Sequence, residues 1–465
     1  MNIRKKFISL GSIGALMTPF IFAASCSTNN AKGEEKVKFA TFNLSFATDN
    51  DATETYQRWV EYMSIKPEEQ TILVNRIKNG DIITPAEKVL SERVVSTRNI
   101  AAIIQKTRPD VLLVNEFNNN GDGNNKEILK LFQNNYLSIG QSLNSMDGGL
   151  MMEPITYPFY ETYATNTGLE SGMDLNNDGL TDNNPQDAFG FGYYHGHYAM
   201  GIFSKYEIDV TNTRTFQEFK WKDLPNSKIP TIETDNGKLP VGMNVGDNWF
   251  TDEEWSKIRL SSKNHVDIPI KIKVNNKTET IHLLASHPTP PAFEIGGTKT
   301  NLLRNMAEVK FWQEYIENKE FIYDDKGVTG GIDGSKEKFI ILGDLNADNL
   351  SGDSAKEEGI LGLIKSNLVN GNIADGNLIP ISKGAELEPN SKKHPKPETR
   401  TSTFGLRVDW VLPSKNMESI DTGVFWQADG EEGRLLFDDK RLGKWGNGKE
   451  VSSDHRLVWL TIKLK

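Results

Sequence analysis

"IILGDLNAD", residues 340–348, decides how this chain is read. Ile340, Ile341 and Leu342 read as a strand covered on both faces. Gly343 ends the run. Asp344 and Asn346 follow two residues apart, on one side of an extended backbone. A carboxylate and an amide so placed can meet one ligand. That ligand is a cation, a phosphate, or simply the backbone of a turn, since Asp and Asn favour turns for local reasons. The rest of the chain has to decide.

Other strand-like runs carry polar residues in the same manner. "VKFATFNLSF" (37–46) is mostly apolar yet contains Asn43, and a buried amide needs partners. Leu90, Val94, Thr97, Ala101 and Ile104 have helical spacing, and Pro109 ends that helix. Val111 to Val114 then form a strand with Glu116 just beyond it. "HYAMGIFSKYEI" (197–208) is a strand with Lys205 near its end. A hairpin through Asn275-Asn276 delivers His287, and residues 299–318 form an amphipathic helix. "RVDWVLP" carries Asp409, and the closing strand follows Asp454 and His455. Each residue alone has a dull explanation as a turn or loop side chain. Charges set beside so many buried strands are costly unless they pair or share a ligand. Together they point to a cation-dependent hydrolytic site.

The 465 residues, 37% hydrophobic, suffice for a large core. A formal net charge of -10 gives no general attraction for nucleic acid or anionic lipid, but allows a local positive site or one made positive by metal. The single cysteine, Cys26, excludes an internal disulfide. It follows a basic segment with Arg4, Lys5 and Lys6 and an apolar stretch ending in small residues, an export signal by charge and length. Ala23-Ala24-Ser25-Cys26 resembles a bacterial lipobox, although Ala23 stands where Leu is commonest. By that resemblance residues 1–25 are a signal peptide and Cys26 is lipidated. Residues 26–36 are then a tether, and the protein faces outward from the cell membrane.

"FNLSF", "RPDVLLVNEF", "GIFSKYEI", "SHPTPP", "GDLNAD", "RVDWVLP" and "SSDHRLVWL" occur in the order found in the endonuclease/exonuclease/phosphatase superfamily, which the chain resembles from about 37 to 463. That superfamily includes pancreatic-type DNases, apurinic-site nucleases, neutral sphingomyelinases and inositol-phosphate phosphatases. The resemblance implies an α/β, four-layer sandwich of two mostly antiparallel sheets flanked by helices. It implies magnesium, with manganese as a substitute, and a phosphate-ester substrate, nucleic acid among the options. Carried over by motif, Glu116 and Asp454 hold the metal, with Asn43 and Asp344 close to it. Asp344 also places the attacking water, and Asn43 and Asn346 meet the phosphate. His287 serves the leaving side. Asp409 orients His455, which stabilises the phosphate or acts as general base. Lys205 and His197 are further candidate phosphate contacts, although His195 and His197 in "YYHGH" could reach the site or merely cap a strand.

A catalytic domain over 37–465 then carries insertions near 49–98, 166–190 and 211–264, the last read as a surface excursion. In the second insertion Asp174, Asn176 and Asp178 precede Gly179, an alternation of oxygen ligands that suits calcium. The twelfth position, acidic in a full calcium loop, is Pro185, so an ordinary surface turn is the competing reading. Lys383, Lys392, Lys393, His394, Lys396 and Arg400 make the strongest local positive run, either a solvated loop or a rim that tracks phosphates. Three functions stay open: phosphodiesterase, with nuclease the commonest form; phosphomonoesterase or phospholipid headgroup hydrolase; and a non-catalytic surface binding protein. A monomer is expected.

Overall fold

The computed structural model describes residues 34–46, 55–82, 84–182, 184–389, 393–442 and 451–465. The proposed signal peptide, Cys26 and Lys392 lie outside these residues. Among the described residues no helix is long and apolar enough to cross a membrane.

Among the described residues twelve strands follow in chain order: β1 Glu35–Asn43, β2 Val111–Asn115, β3 Phe159–Thr162, β4 Met200–Ser204, β5 Glu207–Ile208, β6 Arg214–Thr215, β7 His265–Val274, β8 Lys277–Ser286, β9 Lys338–Asp344, β10 Asp409–Pro413, β11 Glu418–Val424 and β12 Val458–Leu464. They form two mixed, mostly antiparallel sheets. The first has the order β11-β12-β1-β2-β4-β3, the second β10-β9-β8-β7-β5 with β6 also on β7. One pair in each sheet is parallel, β1 with β2 and β8 with β9. Both parallel crossovers contain the helix the sequence predicts, Pro85–Thr107 in the first and Thr300–Ile316 in the second.

The period-2 rule explains why β9 reads as continuously apolar. Ile340 and Leu342 enter the core between the sheets, beside Phe39, Val111 and Leu460. Phe339 and Ile341 face the other way, onto Val309 and Trp312 of the helix Thr300–Ile316. In β10, Val411 points inward, while Trp410 and Leu412 point outward. Ile100, Ile103 and Ile104 of the helix Pro85–Thr107 join the core on the first sheet. This is the expected α/β architecture of two sheets flanked by helices.

Two local readings change. Residues 211–264 are more than a surface excursion: Phe216, Phe219, Trp221, Trp249 and Leu260 are buried in the same core as Trp312. Lys, Asp and Pro dilute that stretch and hide its aromatics from any periodicity test. Part of the basic run at 382–400 is paired or buried. Lys383 pairs with Glu431 at 3.4 Å and Lys396 with Asp375 at 2.7 Å. His394 is buried against Asp348 at 2.8 Å, and buried Arg400 donates to the carbonyls of Ala385 and Pro397.

Candidate active site

Both sheets deliver polar residues to one edge. Asn43 ends β1 and Asn115 ends β2, paired in register. Asp344 ends β9, opposite Asp409 at the start of β10. Asn115 ties the halves together: its Oδ1 accepts from the Asp344 backbone N–H at 3.0 Å, and its amide reaches the Ser286 carbonyl at 3.5 Å. Glu116 leaves β2 with φ +53° and Asn346 leaves β9 with φ +50°. The left-handed backbone costs a non-glycine residue about 1 kcal/mol or more and turns each chain sharply at the strand end.

Asp344 is the centre. Its Oδ2 accepts from Asn43 Nδ2 at 3.0 Å and lies 3.5 Å from His287 Nε2 and 3.7 Å from His455 Nε2. Asn43 Nδ2 also donates to Glu116 Oε1 at 3.1 Å, so one amide bridges two carboxylates. His455 Nδ1 lies 2.9 Å from Asp409 Oδ2, which fixes the ring. Asp344, Asp409, His287 and His455 are all buried. Ser45 connects the remaining acid: its N–H donates to Asn43 Oδ1, and its hydroxyl donates to Asp454 Oδ1 at 2.5 Å.

Electrostatics separates the two histidines. Burial opposes charge on His455, but the carboxylates of Asp409 and Asp344 outweigh it and hold its pKa well above the ordinary imidazole value. Burial lowers the pKa of His287, and the Lys263 ammonium adds to that effect. Burial alone would raise Asp344, yet the charges and hydrogen bonds of His455, His287 and Asn43 hold it below the usual carboxylate range. At neutral pH the site therefore holds an ionised Asp344, a charged His455 and a neutral His287.

Asp344, Asp409 and His455 each offer a ligand atom within 4.8 Å of one another, a group that could hold a metal ion. The sequence reading instead put metal on Glu116 and Asp454 with Asn43 and Asp344. Only Asp344 is common to both sets. Asp409 and His455 already engage each other, so their facing atoms are occupied by that hydrogen bond. Glu116 and Asp454 are partly exposed, and among the described residues Glu116 hydrogen-bonds only with Asn43, which leaves carboxylate oxygen free.

Of the expected phosphate contacts, Lys205 is not brought to the cluster, and His197 makes no hydrogen bond to it among the described residues, although the Lys263 charge reaches it. Lys205 ion-pairs with Asp110 at 2.9 Å. It follows Ser204, which pairs with Val111, whereas Met200 pairs with Asn115 beside the site. Lys205 thus stands at the opposite end of the strands, about 13 Å along the sheet. His197 is buried, stacked on Tyr198 at 3.7 Å and Tyr194 at 4.8 Å, and accepts from the Tyr193 N–H at 3.3 Å. Burial pushes its pKa down to about 3, helped by the Lys263 charge. Asp174, Asn176 and Asp178 form a separate loop.

Lys263, just before β7, is the site residue the sequence reading missed. It is buried, and its ammonium is 3.5 Å from the Pro288 carbonyl, to which Asn346 Nδ2 also donates at 3.1 Å. Glu116 and Asp344 are among the charges acting on it. Its signal was a lysine two residues before an apolar strand, next to the segment that carries His287. Phe404 was also missed: half-exposed, it sets its ring edge-on to His455 at 5.5 Å.

None of the curated proteins compared matches the chain. Among solved structures it is similar to an endonuclease/exonuclease/phosphatase from Beutenbergia cavernae DSM 12333, with 13% identity over 92% of this chain and 72% of that one and a TM-score of 0.39. A mannosyl-6-phosphatase from Bacteroides thetaiotaomicron VPI-5482 has 13% identity over 92% and 99%, TM-score 0.37. Beta toxin 275-280 from Staphylococcus aureus has 12% over 91% and 99%, TM-score 0.36. The Endonuclease/Exonuclease/phosphatase family matches residues 89–455, a span that takes in Glu116, His287, Asp344, Asp409 and His455, and the chain belongs to that family.

Proposed function

We propose that the protein is a divalent-metal-dependent phosphodiesterase of the cell surface, with nucleic acid as its leading substrate class. Family membership and the metal-competent cluster support hydrolysis of phosphate esters in general. The observation that carries the finer reading is the single oxygen of Asp344 met by Asn43, His287 and His455. An ionised carboxylate held there can orient the attacking water. Charged His455, aligned by Asp409, donates to a phosphoryl oxygen as negative charge develops. Asn346 and Lys263 meet on the Pro288 carbonyl and present further donors for the phosphate. Neutral His287 serves the leaving side. The hard oxygens of Glu116 and Asp454 suit magnesium, with manganese as a substitute, and such an ion when bound neutralises charge on the transferring phosphoryl group.

A second reading has its own support. With His394 and Arg400 buried in the fold and Lys383 and Lys396 each paired to a carboxylate at the surface, the basic run presents less uncompensated charge to a polyanion. That favours a compact ester, such as a phosphomonoester or lipid headgroup.

One panel tests both: supercoiled DNA, single-stranded DNA, RNA, bis-p-nitrophenyl phosphate, inositol phosphates and sphingomyelin, each with magnesium. Cleavage of nucleic acid is expected. Fast hydrolysis of a monoester or lipid with DNA and RNA intact would replace the nuclease reading by the second one. Turnover that survives EDTA, with elemental analysis showing no metal, would end the metal-dependent mechanism. Export and lipid anchoring through Cys26 belong to the same reading, and Cys26→Ala should free the protein from the membrane fraction.

A further inference from the structure

The loop between Asn166 and Gly190 takes no part in the chemistry above. Asp174, Asn176 and Asp178 set side-chain oxygens on alternate residues, and Gly179 turns the chain with φ +86°. Pro185, at the twelfth position, offers no side-chain ligand. The fold brings Asp187 to the loop instead. Asp187 is 3% exposed, and its Oδ1 accepts from the N–H groups of Leu175 at 2.9 Å and Asn176 at 3.2 Å. Its Oδ2 is buried without a hydrogen-bond partner. The charges acting most strongly on it are Asp174 and Asp178, both carboxylates.

A buried carboxylate with one bare oxygen and two like charges beside it is costly. A hard cation removes all three penalties together. These carboxylates do not gather within the 4.8 Å that the catalytic group meets. The N–H groups of Asp178 and Gly179 occupy Asp174, the Leu180 N–H and the Asn176 amide occupy Asp178, and Asn176 Oδ1 accepts from the Asp178 N–H, so a cation would take the place of these local hydrogen bonds.

We propose that Asp174, Asn176, Asp178 and the buried Asp187 bind a calcium-class divalent cation that closes this loop. Three carboxylates and an amide, with the Leu180 carbonyl at the seventh position, suit the six to eight oxygens of calcium better than rigid octahedral magnesium. The loop's base explains its use. The Asn166 N–H donates to the Lys263 carbonyl at 2.9 Å, its amide donates to the Ser261 carbonyl at 2.8 Å, and its own carbonyl accepts from Gly190 at 3.0 Å. A closed loop therefore braces the segment that carries Lys263. The cation site stands independently of the hydrolysis proposed above.

The test uses the full chain with saturating magnesium. Adding calcium to about 1 mM should raise the melting temperature by about 2 °C or more, through binding to the folded state alone. Terbium alone should luminesce on excitation of tryptophan, because the Trp249 indole donates to the Leu175 carbonyl inside the loop at 3.0 Å. Asp187→Asn should weaken calcium binding at least about tenfold through the lost ligand charge. Asp178→Ala, at an exposed position, should do the same and decides the matter if Asp187→Asn does not fold. Trp249→Phe should quench the terbium signal. Absence of a calcium shift in the wild-type chain, or an equal shift in Asp178→Ala, would overturn the site.

Discussion

His287 and His455 flank one carboxylate yet carry different charge at neutral pH, because only His455 has Asp409 behind it. His455→Ala should lower kcat at least about a hundredfold while near-UV circular dichroism stays native, since the lost contact strengthens as charge develops. Normal turnover would reduce the ring to a turn residue. His287→Ala should cost nearly as much.

Stability, by contrast, should respond to acid through the histidines kept neutral. Burial holds His197 at about 3 and His265 at about 4, both below the ordinary imidazole value. Such groups cost nothing above pH about 6.5; as pH falls below that, the unfolded chain takes up protons that the folded one refuses. Urea midpoints should therefore drop between pH 7 and pH 4. His197→Phe should flatten that slope, and an unchanged slope would show that His197 does not drive it.

The strand ends named from sequence supplied most of this cluster, because a polar residue closing an apolar run is visible locally. Two errors show what is not. Lys205 also closes a strand, but sequence does not say at which end of the sheet a strand finishes, and β4 runs opposite to β2. Lys263 lies two residues before His265, whose partner Ser286 directly precedes His287, so only the pairing of β7 with β8 sets it near that histidine.

At the scale of elements, the helix Thr300–Ile316 does more than cover β9. Buried Glu308 accepts from the Ser262 N–H at 2.6 Å and from the Thr289 N–H at 2.6 Å. One turn earlier, Asn305 donates to the carbonyls of Thr289 at 2.8 Å and Leu345 at 3.0 Å. One helix face thus aligns the segments bearing Lys263, His287 and Asn346. Amphipathic spacing announced the helix but not this polar stripe, whose acceptors lie on other elements. Glu308→Gln should destabilise the chain by about 2 kcal/mol, from lost charge-assisted hydrogen bonds, and lower kcat as well. Urea titration and turnover together check this; a loss of stability with kcat intact would leave the helix a purely structural prop.

For the whole molecule, metal removal is the broadest test. Activity on bis-p-nitrophenyl phosphate should vanish with EDTA and return with magnesium or manganese, since the carboxylates otherwise face the anionic substrate with their charge uncompensated. The two-sheet plan was legible from the order of motifs. The pairing of the basic loop was not, since Lys383 finds Glu431 far along the chain.

The first sheet places β12 between β11 and β1, with Lys36 paired to Lys463. Among the described residues Asn43 comes from the first strand, while His455 is held just ahead of the last one. A chain emerging from the ribosome therefore carries Asn43, Glu116, His287 and Asp344 long before it has the imidazole that Asp409 aligns. Products cut short before His455 should therefore be catalytically silent, even with the rest of the cluster in place.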